Sequence, residues 1–207
     1  MSASDQAARP LRHLALGDSY TIGEGVPEAV RWPVQLAQRL IGEGITLAPP
    51  LIVATTGWTT DELAAGMDEA QLAPAFDLVS LLIGVNNQYR GRSAEEYIAQ
   101  FGQLLARAVT LAGDRPGRVL VVSIPDWGVT RFAREHGHDA AAIGVALDRF
   151  NALARAAAGA AGAAFIDITD LSRIYPDELA DDGLHPDARQ YARWVERIAP
   201  VARHALR

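Results

Sequence analysis

The stretch LRHLALGDSYTIG, residues 11–23, decides the fold class. Its first half, residues 11–16, is a short and mainly apolar run of the kind that forms a buried strand. The turn residues Gly17 and Asp18 stop this run, and a segment with helical spacing follows at residues 32–41. A strand that leads through a turn into a helix begins a βαβ unit, so the sequence predicts a parallel sheet.

The same alternation of apolar runs and helical patterns continues to the end of the chain. Five strands are predicted, at residues 11–16, 51–54, 78–83, 119–124 and 164–168. Helices are predicted at residues 32–41, from Thr59 or Thr60 onward, from the capping box at Ser93 to Leu111, and at residues 140–158 and 187–204. This pattern favours a three-layer α/β/α sandwich whose five-stranded parallel sheet has the flavodoxin-like order 2-1-3-4-5. We expect residues 1–207 to form a single domain, with residues 1–10 as a loose N-terminal tail.

Composition excludes several classes of protein. Apolar residues make up 49% of the chain and charged residues 21%, which is typical of a globular protein. The net charge is −6 and all 19 basic residues are Arg, so no basic surface for nucleic acid is expected. The absence of Cys excludes disulfides, thiolate metal sites and a Cys nucleophile. The sequence contains neither a signal-peptide pattern nor a run of about 18 apolar residues, which predicts a cytoplasmic protein without a membrane span.

The predicted strand order has a consequence for function. It brings the carboxyl ends of the second, first and third strands together, where open α/β sheets bind ligands. Ser19, Gly57 and Asn86 follow those three ends. A serine on a strand-to-helix turn can act as a nucleophile, and its backbone N–H can face an oxyanion. The Gly57 N–H and the Asn86 amide can donate to the same oxyanion, although a helix cap, a turn glycine and a loop asparagine explain each residue separately.

A second cluster lies in the loop Asp181-Asp182-Gly183-Leu184-His185-Pro186, after the last strand. Asp182 stands three residues before His185, and Gly183 permits a tight bend between them. The carboxylate can therefore accept the imidazole Nδ1–H and leave Nε2 to take a proton from a hydroxyl. The start of the last helix also accounts for this loop, and the two interpretations are compatible.

These segments, taken together, resemble the four conserved blocks of the SGNH (GDSL-type) hydrolases. The resemblance spans about residues 11–204 and rests on Gly17-Asp18-Ser19, Gly57, Gly84-Val85-Asn86 and Asp182-Gly183-Leu184-His185-Pro186. It implies an α/β/α fold and hydrolysis of small-molecule esters without a metal or cofactor. It also implies that Ser19 is the nucleophile, His185 the base and Asp182 its partner. Gly57 and Asn86 would complete an oxyanion hole with the Ser19 amide.

The chain departs from the family pattern at one position. The third block usually reads Gly-x-Asn-Asp, but Asn87 stands here in place of the aspartate. The Asn86 amide is retained, so we expect the chemistry to survive while the following loop is held differently. Beyond the predicted strand ends lie Trp58, Tyr89 and Trp127, which could form the wall of a substrate pocket or pack beneath the loops.

Several alternatives remain at the level of sequence. The short connections indicate an open site and short acyl groups, but a lysophospholipase, a thioesterase or an acyltransferase would use the same residues. A non-catalytic ligand-binding module is a further alternative. Classical α/β-hydrolases need Gly-x-Ser-x-Gly, and Thr21 occupies the position of the second glycine. Residues 135–139, EHGHD, favour a solvated loop over a metal site, and nothing in the sequence fixes an oligomeric state.

Overall fold

The fold is built on a five-stranded parallel sheet. A computed structural model describes residues 9–207, so the predicted tail at residues 1–10 lies outside the described part of the chain except for Arg9 and Pro10. The strands are β1 (His13–Gly17), β2 (Leu51–Ala54), β3 (Leu78–Leu82), β4 (Val119–Val122) and β5 (Ala164–Ile166). Their order is β2-β1-β3-β4-β5 and every neighbouring pair is parallel, which confirms the predicted topology.

Helices cover both faces of the sheet. They are α1 (Ser19–Ile22), α2 (Trp32–Gly42), α3 (Thr60–Glu69), α4 (Val85–Tyr89), α5 (Ala94–Leu111), α6 (Arg131–Glu135), α7 (Ala140–Ala161), α8 (Thr169–Ile174) and α9 (Ala188–Ala205). Helix α2 packs against α9, while α5 packs against α3 and α7, which gives two helical layers around the sheet. The three-layer α/β/α prediction is therefore confirmed.

The central strands are buried on both faces, which explains their nearly continuous apolar sequences. The polar exceptions are paired across strands: His13 Nε2 on β1 lies 3.0 Å from Ser80 Oγ on β3. Desolvation lowers the pKa of His13 to about 4, so its ring is neutral at physiological pH.

The strand register places the ends of three strands at one level. Gly17, the last residue of β1, is level with Ala54 on β2 and with Leu82 on β3. The segments that leave these three strands therefore start side by side, and they carry Ser19, Gly57 and Asn86.

Candidate active site

Ser19 lies at a crowded turn between β1 and α1. The Asp18 carboxylate caps α1 by accepting the Tyr20 N–H at 3.0 Å, which makes Ser19 the first residue of the helix. A Cβ on Gly17 would lie 2.2 Å from Thr21 Oγ1 and 2.6 Å from the Leu82 carbonyl oxygen, so the turn requires glycine there. The Ser19 backbone is thus held at the end of β1.

Asp18 is completely buried beside Ser19. Its Oδ1 accepts the Tyr20 N–H, whereas its Oδ2 has no hydrogen-bond partner among the described residues. Desolvation raises the pKa of Asp18 to about 7, and the backbone hydrogen bonds only partly oppose this rise. A substantial fraction of Asp18 is therefore protonated at neutral pH.

The histidine loop is organised by Asp182. Its Oδ1 accepts the backbone N–H groups of Leu184 at 2.8 Å and of His185 at 3.0 Å, and its Oδ2 lies 2.6 Å from His185 Nδ1. Gly183 between them has φ 69°, in the left-handed region that glycine adopts readily. Partial burial by itself would raise the pKa of Asp182, but the bond from the His185 ring and those from the two amides outweigh it and lower that pKa. Asp182 is therefore ionised, and it fixes the imidazole with the Nδ1–H directed at its carboxylate.

The two remaining predicted donors lie on the loops after β2 and β3. The Asn86 side chain uses one amide N–H to donate to the Trp58 carbonyl oxygen at 2.9 Å, which leaves the other N–H of that group available. Gly57 has φ 87°, and its carbonyl oxygen accepts from Arg90 Nη2 at 2.6 Å. Within residues 9–207, the backbone N–H groups of Ser19 and Gly57 donate to no other residue.

One cavity brings the predicted residues together. Ser19, Gly57, Asn86 and His185 all line a cavity of about 200 Å³, and Asp182 lies behind His185. In this structure Ser19 Oγ and the His185 ring share the cavity without a hydrogen bond between them. Catalytic hydrogen bonds are often long in free enzymes and shorten when the substrate is bound.

The rest of the cavity is mainly apolar. Tyr89 and Trp127, two of the three predicted pocket residues, line it. Residues that the sequence analysis did not assign to the pocket complete its lining: Tyr20, Thr56, Val85, Phe132 and Leu184. Tyr20, Thr56, Val85 and Leu184 each adjoin a predicted site residue and could have been found by that adjacency. Phe132 lies in α6, a helix of five residues without a sequence signal.

Trp58, the third predicted pocket residue, is not among the residues that line the cavity. Its ring packs over Gly66 of α3, where an added Cβ would lie 2.1 Å from Trp58 Cη2. The prediction that Trp58 forms part of the pocket wall is therefore wrong. Because Gly66 has no side chain, the Trp58 indole packs directly against α3. Its contribution to the cavity is the backbone carbonyl that holds Asn86.

Asn87, the position that departs from the family pattern, is fully buried and satisfied. Its Oδ1 accepts the Thr60 N–H at 3.1 Å, and its Nδ2 donates to Thr60 Oγ1 at 2.7 Å. The Thr60 hydroxyl in turn donates to Gln100 Oε1. An amide at position 87 therefore connects the start of α4 to the start of α3 through a donor and an acceptor.

The segment at residues 135–139 is exposed, as expected of a solvated loop, but one of its side chains packs against the cavity wall. The His138 ring lies edge-on to Trp127, with 5.0 Å between the ring centroids. Within the described residues no three His, Asp or Glu side chains are grouped as a metal site. None of the helices between residues 9 and 207 has the length and hydrophobicity needed to span a bilayer.

Comparison with known proteins identifies the family. The model of the GDSL-like lipase/acylhydrolase family matches residues 15–193, which include all the predicted catalytic and oxyanion-hole residues. Comparison with the sequences of curated proteins gives no match.

Solved structures share the fold over nearly their whole length. A lipase/acylhydrolase from Enterococcus faecalis has a TM-score of 0.71 at 20% identity, with 95% of this chain and 97% of that chain covered. A carbohydrate acetylesterase family member from Sinorhizobium meliloti gives 0.70 at 21% identity, with 95% and 99% covered. The psychrotrophic esterase EstA from Pseudoalteromonas sp., in a structure inhibited by monoethylphosphonate, gives 0.71 at 14% identity, with 94% and 98% covered. At these identities the likeness establishes the fold.

Proposed function

The chain belongs to the GDSL-like lipase/acylhydrolase family, and on that basis we propose that it hydrolyses short-chain carboxylic esters through an acyl-enzyme on Ser19. One observation carries the proposal. Asp182 holds His185 Nδ1 at 2.6 Å, and the same imidazole lines a cavity with Ser19, Gly57 and Asn86. A nucleophile, a base with its orienting carboxylate and oxyanion donors are the groups that ester hydrolysis by a serine requires.

In the first half of the reaction, Ser19 Oγ attacks the ester carbonyl carbon while His185 Nε2 takes the hydroxyl proton. The electron pair of the carbonyl double bond moves onto its oxygen, which is stabilised by the Ser19 and Gly57 amides and by the free N–H of Asn86. The intermediate then expels the alcohol. His185 donates its proton to the departing oxygen, and the acyl group remains on Ser19.

In the second half, water takes the place of the alcohol. His185 removes a proton from the water as it attacks the acyl carbon, and the same donors stabilise the second oxyanion. The collapse of this intermediate releases the carboxylic acid, and His185 returns the proton to Ser19 Oγ. Asp182 stays ionised throughout and stabilises the imidazolium that forms twice in each turnover.

The cavity supports short acyl groups. Its volume of about 200 Å³ lies below the roughly 300–1,000 Å³ that is typical of ligand pockets. Val85, Phe132 and Leu184 supply apolar walls, which suit a short hydrocarbon chain. The similarity in fold to a carbohydrate acetylesterase family member adds support, although lipases share the fold as well.

A series of p-nitrophenyl esters of increasing acyl length tests this proposal. We expect kcat/KM to be highest for the acetyl to butanoyl esters and to fall for the octanoyl ester, because a longer chain exceeds the cavity. Ser19→Ala should lower kcat by about 10⁶-fold, as removal of the nucleophile does in other serine hydrolases. Full activity of Ser19→Ala would refute the mechanism, and a preference for the octanoyl ester would refute the assignment of short acyl groups.

A further inference from the structure

A second cavity, which we call the outer groove, lies beside the active-site cavity. Its volume is about 460 Å³, and its walls include Gln88, Tyr89, Trp127, His138, Asp139 and Ala142. Tyr89 and Trp127 belong to the walls of both cavities. The two spaces therefore adjoin along one pair of aromatic rings.

Aromatic rings form one side of the outer groove. The Tyr89 and Trp127 rings meet edge-on with 5.4 Å between their centroids, and His138 packs edge-on against Trp127 at 5.0 Å. Tyr89 is 54% exposed, which leaves part of its ring open to a ligand. Flat aromatic surfaces of this kind can pack against the apolar faces of a ring-shaped ligand.

Polar groups with unused hydrogen-bonding capacity line the same groove. The Trp127 indole N–H donates to Gln88 Oε1 at 2.8 Å, which fixes the amide and leaves Gln88 Nε2 as a donor. Asp139 Oδ1 accepts the Ala142 N–H at 3.0 Å at the start of α7, and Oδ2 remains as an acceptor. A donor and an acceptor beside aromatic rings match a ligand that carries several hydroxyl groups.

The charge of the outer groove favours some classes of ligand over others. Its lining contains the Asp139 carboxylate and neither Arg nor Lys, and the lining of the active-site cavity also lacks both. A phosphate group in the outer groove would therefore meet a carboxylate and no guanidinium of its lining, and the guanidinium of Arg90, beside Gly57, already donates to the Gly57 carbonyl oxygen and to Glu62. This arrangement disfavours lysophospholipids and coenzyme A thioesters and favours a neutral alcohol.

We propose that the outer groove binds the alcohol half of the substrate and that this alcohol is a neutral polyhydroxylated ring, such as an O-acylated pyranoside. The inference rests on the proposed function, because it assigns the active-site cavity to the acyl group. An ester whose short acyl group fills the apolar cavity can extend its alcohol past Tyr89 and Trp127, and the outer groove begins at these two rings.

A matched pair of variants on α7 tests this proposal. Ala142→Trp places an indole in the outer groove, and Val145→Trp places one on an exposed part of the same helix outside both cavities. The quantity to measure is the ratio of kcat/KM for methyl 6-O-acetyl-glucopyranoside to kcat/KM for ethyl acetate. We expect a ratio above about 10 in the wild type, since each tenfold step corresponds to only about 1.4 kcal/mol of binding. Ala142→Trp should lower this ratio at least fivefold, and Val145→Trp should leave it within twofold.

The outcomes separate the two proposals. Equal ratios in the two tryptophan variants, or a preference for an acetylated glycerol phosphate over the pyranoside, would overturn the role of the outer groove while leaving ester hydrolysis intact. If the wild type hydrolyses no ester, the proposed function fails, and binding then tests the groove by itself. Saturation-transfer NMR with methyl glucopyranoside should show contact with wild type and with Val145→Trp but not with Ala142→Trp. No saturation transfer with the wild type, or equal transfer with the wild type and Ala142→Trp, would overturn the inference.

Discussion

At the scale of single residues, Asp182 has two functions. Its Oδ1 builds the turn by accepting the Leu184 and His185 amides, and its Oδ2 holds the His185 ring. A single carboxylate thus sets both the backbone and the tautomer of the proposed base. Its lowered pKa means that protonation of Asp182 should not set the acid limb of the activity profile.

Asp182→Asn separates these two functions. The new amide oxygen can still accept the two backbone N–H groups, but its NH₂ would face the Nδ1–H and favour the imidazole tautomer with the proton on Nε2. We expect kcat for p-nitrophenyl acetate to fall by about 10³–10⁴-fold, as for the equivalent change in other serine hydrolases, with circular dichroism unchanged. A loss of less than tenfold in a folded variant would contradict the proposed role of Asp182.

The sequence was sufficient to predict which residues follow the strand ends at the site, and the reason is physical. Ser19, Gly57 and Asn86 each follow the end of a strand, and parallel strands bring such ends to one edge of the sheet. The direction of a side chain in a loop depends on what packs beneath it. The Trp58 ring packs on Gly66, eight residues later in the chain, and periodicity contains no information about that contact.

At the scale of secondary-structure elements, helix α3 supports the proposed oxyanion hole. Trp58, just before α3, holds Asn86 through its carbonyl oxygen, while its ring packs on Gly66 in the middle of the helix. Thr60 in the first turn holds the neighbouring Asn87 through two hydrogen bonds. The position of the Asn86 amide therefore depends on the contact between α3 and the Trp58 indole.

Gly66→Ala should lower activity by moving Asn86, although Gly66 does not line the active-site cavity. Its Cβ would lie 2.1 Å from Trp58 Cη2, so the ring must move and carry the carbonyl that holds Asn86 with it. We expect kcat/KM to fall about tenfold, less than the 10²–10³-fold that loss of the donor in Asn86→Ala should cost. Activity against p-nitrophenyl acetate is the measurement.

Gly102→Ala provides the matched control for this change. Gly102 also lies within a helix, α5, and an added Cβ there has nothing within 4 Å. Alanine is favoured over glycine in helices by about 1 kcal/mol, so this variant should be slightly stabilised and fully active. If the two alanine variants lose activity equally, the connection from α3 to Asn86 is refuted.

The elements that sequence could predict are the long ones. Helices α5 and α7 contain enough residues for their apolar periodicity to be visible, and Ser93 caps α5 by accepting the Glu96 N–H as expected. Helices α1, α4 and α6 have four or five residues, too few for a period to emerge. The predicted fourth strand also ended too late, because the Ile124 N–H donates to Asn151 Oδ1 after the strand itself ends at Val122.

At the scale of the whole molecule, two buried groups have opposite effects on stability as pH changes. The folded protein keeps the proton of Asp18 up to a pKa of about 7, whereas the unfolded chain loses it near 3.8, so this group lowers stability as pH rises between these values. The His13 ring stays neutral down to a pKa of about 4, whereas the unfolded chain binds a proton below 6.5. This second group lowers stability as pH falls through that window.

Asp18→Asn should make stability depend more steeply on pH, because the contribution of His13 is then no longer opposed. Asparagine can still cap α1, so the variant should fold, and it removes the carboxyl whose effect opposes that of His13. The free energy of unfolding, measured by urea denaturation between pH 4 and 6.5, should rise with pH more steeply in the variant than in the wild type. The difference between the two curves should be on the order of 3 kcal/mol across this window, because one pKa unit corresponds to about 1.4 kcal/mol. Parallel curves would show that Asp18 has an ordinary pKa.

The single-domain prediction for residues 1–207 stays a prediction. It is consistent with the one sheet between two helical layers that residues 9–207 form. The proposed site depends on this arrangement as a whole, since Ser19 and His185 come from opposite ends of the chain.

The proposed chemistry requires Ser19 to be an activated nucleophile. Labelling with a fluorophosphonate probe, followed by mass spectrometry of the modified peptide, tests it most directly. We expect a covalent adduct on Ser19 that is absent from Ser19→Ala and strongly reduced in Asp182→Asn. A folded wild-type protein that reacts at another residue, or that forms no adduct at all, would contradict it.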